Sequence, residues 1–254
     1  MPKVFFLLLF VAKITLAQVS IKRYGIGNTT IQVQTTLFAP LSNGIYFINL
    51  HSNETTSIES CRQYLQAKGG MLFQLLNNEN RYVHFKCKDG NYTIDPNRIF
   101  TTEGRAETLK KNSTYTIEAA RETKQFADSI LSLMKMPKLI IAMHNNTDKG
   151  FSVNSYLKSE NEAINALDIY VNKQMDTDDF VYTTELKVFS YLKQQQINVV
   201  LQKTMGFKDD GSLSIYCSRK NIPYINIEAE EGHKAEQLKI LDALTAIISS
   251  YEAK

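Results

Sequence analysis

The chain has three cysteines in 254 residues, Cys61, Cys87 and Cys217, too few for a fold that depends on a disulfide framework. One pair and one free thiol fit this count, with Cys61 and Cys87, the two closest in sequence, as the first candidates, but connectivity cannot be read from sequence and the pairing stays open. None lies in a CxxC or beside a histidine, which argues against a cysteine-bound metal or a thiol nucleophile. An excess of charge is also missing. Against 29 Lys and Arg stand 26 Asp and Glu, a formal charge of +3 with the lysines dispersed, so nothing favours nucleic acid or a membrane surface as partner. The leading apolar run, Val4 to Ala12, is ended by Lys13 and is too short to span a bilayer. No internal repeat, low-complexity tract or linker divides the chain.

What is present begins at the amino end. Met1-Pro2-Lys3 before the apolar run and Thr15-Leu16-Ala17 after it make an export signal over residues 1–17. Residues 18–254 are then expected to form a single domain, long enough to bury a core without cross-links.

Two further apolar runs each deliver a histidine. Ile45 to Leu50 leads into His51-Ser52-Asn53-Glu54, and Leu139 to Met143 leads into His144. Zinc takes nitrogen and oxygen ligands of this kind, and a His₂Glu set leaves a fourth position open, as in a catalytic site. Asp95-Pro96-Asn97-Arg98-Ile99-Phe100 lies between the two runs, and Ile225-Asn226-Ile227-Glu228 lies after them.

Hydrophobic periodicity predicts strands at Thr29–Phe38, Ile45–His51, Met71–Leu76, Tyr82–Lys86, Leu139–Met143, Asp179–Thr183, Asn198–Gln202 and Tyr224–Glu228. A turn through Pro40, Asn43 and Gly44 precedes the second strand, and another falls at Lys88-Asp89-Gly90. Helices are predicted at Ser57–Lys68, Thr116–Met136, Glu185–Gln196, Ser212–Lys220 and His233–Tyr251. The alternation implies an α/β fold, with a mixed, largely parallel central sheet and helices on both faces. In such sheets ligands bind outside the carboxyl ends of the strands, where His51, His144 and Glu228 all fall.

The ordered set His-x-x-Glu, Asn-Arg, His, Glu resembles the zinc carboxypeptidase clan, and its wording is closest to the aspartoacylase and succinylglutamate desuccinylase branch. That branch's His-Gly-Asn-Glu reads here His51-Ser52-Asn53-Glu54, and its Asp-x-Asn-Arg-x-Phe reads Asp95 to Phe100. Its His-Asn-Thr-Thr reads His144-Asn145-Asn146-Thr147, and its strand-borne catalytic glutamate matches Glu228. Two departures stand out. Ser52 replaces a glycine, which requires a negative φ there, and only residues 229–254 follow Glu228 where aspartoacylase-like enzymes carry a further β-rich domain. The second departure implies a more open cleft, better suited to a peptide end than to a small acylated amino acid.

The resemblance implies one zinc per chain, on His51, Glu54 and His144, with Glu228 as general base. Glu230, two residues on, is a rival for that role. Arg81 is the candidate to face the developing oxyanion, and Asn97 and Arg98 are the candidates to bind a substrate carboxylate. Asp95 is expected to shape its loop and to hold Arg98 or a zinc histidine. Tyr156 and Tyr182 are alternatives for an aromatic that closes over substrate. His84 and His233 are expected outside the site, and Met175 to Asp179 lacks the glycine and distal glutamate of a calcium loop.

The activity implied is a zinc-dependent amidohydrolase, most simply a metallocarboxypeptidase acting on peptides with a free carboxylate, peptidoglycan-derived ones included. The alternatives are an N-acyl amino acid deacylase and a non-catalytic carboxylate-binding module of the same fold. Asn-X-Ser/Thr sequons at Asn53 and Asn145 overlap the metal loops, where a glycan would block the site. A bacterial periplasmic or secreted protein is therefore the expected setting.

Overall fold

The computed structural model describes residues 17–40 and 44–253. The export signal, apart from Ala17, and Asn43 of the first turn lie outside the described residues. The elements run β1 (Gln18–Ile26), β2 (Thr29–Phe38), β3 (Ile45–Asn49), α1 (Thr55–Lys68), β4 (Gly70–Leu76), β5 (Val83–Cys87), β6 (Gly90–Ile94), α2 (Thr102–Asn112) and α3 (Ile117–Leu131). There follow β7 (Leu139–Asn146), β8 (Ala166–Tyr170), β9 (Phe180–Thr183), α4 (Leu186–Gln194), β10 (Val199–Gln202), α5 (Leu213–Lys220), β11 (Tyr224–Glu230) and α6 (Lys234–Glu252).

Among the described residues nine strands form one sheet in the order β1-β2-β4-β3-β7-β11-β9-β10-β8, and β5 pairs with β6 as a separate hairpin. The centre, β4-β3-β7-β11, is parallel, while β1, β2 and β8 add antiparallel margins. Residue alternation sorts the apolar side chains between two cores. Tyr46, Ile48, Ile140, Ala142 and Tyr224 pack with Phe126 and Ile130 of α3 and Leu213 of α5. Phe47, Ile141, Met143, Ile225 and Ile227 pack against Leu65 of α1, Phe189 of α4 and Leu241 of α6. The sheet is thus covered on both faces, as the sequence implied.

The structure adds to the sequence reading or departs from it in three places. All three cysteines are free and buried, and Cys61 lies in the α1 core while Cys87 and Cys217 lie in the opposite one. The sheet separates Cys61 from Cys87, which closes the question that the sequence left open. The helix predicted to run to Met136 stops at Leu131, because the next residues tighten into turns, Leu133 N–H donating to Ile130 and Met134 N–H to Leu131. Met134 stays buried all the same, which carried the apolar period past the helix end. Finally, β1, β6, α2 and β8 were not foreseen.

Candidate metal centre

His51 and Glu54 are set by a tight turn at the end of β3, in which Glu54 N–H donates to the His51 carbonyl at 3.1 Å. Asn49 ties this turn to the next strand, its amide donating to Ser57 Oγ at 2.9 Å and to the Met143 carbonyl at 3.1 Å. Ser52 sits at negative φ. Its hydroxyl accepts from the backbone N–H of Asn77 (3.1 Å) and Glu79 (3.2 Å), work that a glycine could not do. His144 lies in β7, which extends to Asn146, and Gln237 of α6 donates to its carbonyl at 2.9 Å.

The three side chains converge through one ring nitrogen each and one carboxylate. His51 Nδ1 is 2.8 Å from Glu54 Oε1, His144 Nδ1 is 2.9 Å from Glu54 Oε2, and the two Nδ1 atoms are 3.3 Å apart. A tetrahedral zinc at about 2.0–2.1 Å from each ligand sets its donors roughly 3.3 Å apart, so the set fits that ion with small adjustments of Glu54. All three residues are buried. Asp95 takes the other side of the first ring, with Oδ1 2.8 Å from His51 Nε2, which fixes Nδ1 as the inward atom. Asp95→Ala is expected to weaken zinc binding about 10–100-fold, measured by competition with a chromophoric chelator. Asp95→Asn, which keeps an acceptor for the ring and for Asn97 N–H, should recover part of the loss.

Burial alone would lower the His51 pKa, but Glu54 and Asp95 outweigh it and raise it to about 9. Burial alone would raise Glu54, yet the two histidines hold its carboxyl far below the usual range. In the metal-free protein His51 is therefore protonated at neutral pH, and a zinc ion held by this set would have to displace that proton. Zinc affinity is expected to rise about tenfold per pH unit between roughly pH 7 and 9 and then level off, in the same competition assay. A flat profile would show that His51 carries no proton to displace.

Glu228 stands beside His144 because β11 and β7 pair in parallel with Glu228 opposite His144 and Tyr224 opposite Ile140. The pleat sends His144 and Glu228 to the same face. Asn226, on that face one step back, donates to Glu228 Oε1 at 2.9 Å. Burial pushes the Glu228 carboxyl up, opposed by His144 and reinforced by Glu54. A cavity of about 450 Å³ is lined by His51, Glu54, His144, Glu228, Arg98 and Arg81 together. Glu230, expected as a rival base, turns instead toward His233, its Oε2 3.6 Å from Nε2, and is absent from that lining.

Arg81 donates to Glu54 Oε1 at 2.9 Å and lies 3.6 Å from Asp95 Oδ2, at the edge of the cavity. Asn97 is fixed by Leu213 N–H of α5, which donates to Oδ1 at 3.2 Å, and its Nδ2 lies 3.4 Å from His144 Nε2. Arg98 donates through Nη1 to the Asn97 carbonyl at 2.9 Å and faces Asp210 Oδ2 at 3.5 Å through the same atom. Asp210 reaches it because the next residue is Gly211, at φ +77°, where a Cβ would lie 2.4 Å from the Arg98 carbonyl oxygen. His84 is engaged with Thr93 on the β5–β6 hairpin. Tyr156 and Tyr182 stack at 5.1 Å on the wall of an adjoining recess of about 170 Å³.

Sequence reading missed Asp210, Glu162 and Asn226 in this neighbourhood. Asn226 carried a readable signal, since it precedes Glu228 by one strand period. Asp210 and Glu162 carried none, because each reaches Arg98's surroundings from a remote loop.

No protein-family model matches the chain, and no curated protein matches it. Solved structures do. Thrombin activatable fibrinolysis inhibitor matches with a TM-score of 0.52 at 12% identity, over 92% of this chain and 72% of that one. A metallo-carboxypeptidase from Burkholderia cenocepacia has a TM-score of 0.48 at 11% identity, over 94% and 66%. The ectoine utilization protein EutE (DoeB) from Ruegeria pomeroyi has a TM-score of 0.47 at 12% identity, over 93% and 68%. The fold is carboxypeptidase-like, as the sequence resemblance implied.

Proposed function

We propose that this chain is an exported zinc-dependent metallocarboxypeptidase, cleaving the amide bond next to a free carboxylate on peptides, cell-wall peptides among them. The observation that carries this reading is a single cavity lined by the His51–Glu54–His144 set, Glu228 and Arg98. The Met1 to Ala17 pattern supports export, and no described helix is long and apolar enough to cross a membrane.

Zinc, when bound by the three ligands, supplies Lewis acidity that makes water a better nucleophile and the carbonyl carbon a better target. Glu228 takes the proton from the attacking water and returns it to the departing amine nitrogen, so that each bond made and broken is matched by one proton transfer. Its burial suits the task, because a carboxylate with a raised pKa is a stronger base than a solvated one. Arg81 sits near enough to the ligand set to offer a cation to the oxygen that becomes negative. Asn97 and Arg98 hold the terminal carboxylate, Arg98 with the guanidinium nitrogens that its two Nη1 contacts leave over.

The test is a four-way comparison on zinc-loaded protein, with an N-acylated dipeptide and its C-terminal amide as substrates, and wild type and Arg98→Ala as enzymes. Removing either the carboxylate or the guanidinium is expected to lower kcat/KM about 10–100-fold, as for a charge-assisted hydrogen-bond pair. Removing both should add little more. Additive losses would place Arg98 outside carboxylate recognition and leave an endopeptidase as the better account. Turnover of N-acyl amino acids with none of peptides would establish the deacylase instead.

A further inference from the structure

We propose that the recess behind Arg98 selects a substrate whose terminal residue carries a cationic side chain. The inference rests on the carboxypeptidase reading, and it concerns what lies beyond the carboxylate clamp. The recess of about 170 Å³ shares Asn97, Arg98 and Glu228 with the cavity at the candidate metal site and continues past them to Glu162, Asp210 and Asn226.

Its charges are unbalanced. Among the described residues Arg98 is the one basic group that lines it, and a bound carboxylate would engage it. Against it stand Glu162 and Asp210, besides Glu228 at the boundary with the cavity at the candidate metal site. Glu162 Oε2 accepts from Asn165 Nδ2 at 2.7 Å, a neutral donor that leaves its charge in place, while Asp210 accepts from Ser212 N–H at 2.9 Å and faces Arg98 Nη1 at 3.5 Å, a cation that a bound carboxylate would share.

Hydrogen-bonding capacity points the same way. Asn226 gives its Nδ2 to Glu228, and its Oδ1 is buried with no donor on it. A buried acceptor without a donor is costly, and a ligand that brings N–H groups removes that cost. An apolar side chain would cover these acceptors without satisfying them, and an acidic one would meet like charge. The stacked rings of Tyr156 and Tyr182 give the aliphatic stem of a lysine-like or arginine-like side chain an apolar wall, while its head reaches the carboxylates.

The experiment has two arms. In the first, zinc-loaded protein is given N-acylated dipeptides ending in lysine, norleucine or glutamate, which separate charge from length. The lysine peptide is expected to exceed norleucine in kcat/KM about 10–100-fold, with glutamate lowest. Asp210→Asn and Glu162→Gln should each shrink the lysine-to-norleucine ratio toward one, whatever they do to the absolute rate through Arg98. A ratio near one in the wild type, or one that both variants preserve, overturns the inference and leaves carboxypeptidase activity standing.

In the second arm, free lysine and free norleucine are titrated calorimetrically into the same protein. Lysine should bind at least about tenfold more tightly, with the advantage lost in Glu162→Gln. If no peptide is cut, the proposed activity falls, and this arm still decides the recess: equal affinities, or no lysine binding, sink it.

Discussion

Glu228→Gln is expected to lower turnover by about 10²–10⁴-fold while zinc content stays at the wild-type level. The substitution keeps the shape of the side chain and an oxygen to accept from Asn226, so the lining of the cavity is preserved. What it removes is the proton acceptor. The pH profile provides a second reading of the same role. A base works only when ionised, so at saturating zinc the wild-type rate should climb with pH through an acid limb. In Glu228→Gln the residual rate should have lost that limb. Near-wild-type turnover in Glu228→Gln, with Glu230→Gln inactive, would move the role to Glu230 in spite of its contact with His233.

His144→Ala is expected to weaken zinc binding by more than the 10–100-fold assigned to loss of a supporting residue such as Asp95. It is a cleaner probe than His51→Ala. Without His144, Glu54 still has His51 and Arg81 as partners, whereas without His51 both Glu54 and Asp95 lose their shared ring. Thermal melting separates the ligand role from a packing role. A ligand that binds only the folded state stabilises it by about 4 kcal/mol at a thousand times its Kd, so wild-type Tm should fall on chelation. The Tm of His144→Ala should not respond to chelator. Zinc retained at wild-type affinity by both His51→Ala and His144→Ala would mean that the ion sits elsewhere.

The central strands were legible because each is a continuous apolar run closed by a polar turn, and the site residues stand at those closures. The pairing of Glu228 with His144 follows from two such runs lying side by side in parallel. The margins were not legible for the opposite reason. β1 exposes most of its side chains, and β8 none fully buried, so neither carries the apolar signature of a buried strand. Helix α2 buries only Gly104, Thr108 and Leu109, and its start is marked by the Thr101 hydroxyl accepting Gly104 N–H at 3.0 Å and by Glu103 in the first turn. Within the site, the partners of the ligands were foreseen where a motif held them close in sequence, as with Asp95 near Asn97. Asp210, which meets Arg98 only after α5 has docked, lay beyond any local pattern. The strand rule also overreached at Glu230, since it fixes a face and leaves the end of β11 free to turn toward His233.

The bond from Gln237 of α6 to the His144 carbonyl gives the metal centre a place in time as well as in space. His51 and His144 come from strands 93 residues apart in the chain, and the second is steadied by the last helix. Contacts so distant in sequence form late, after local turns and helices have paid their loop-closure entropy. During refolding, helical signal should therefore return before tight zinc affinity does. In the proposed zinc enzyme, metal uptake then becomes a clock for the final docking of α6 against the sheet, and a chain cut before Gln237 would emerge with every candidate ligand present and the centre still loose.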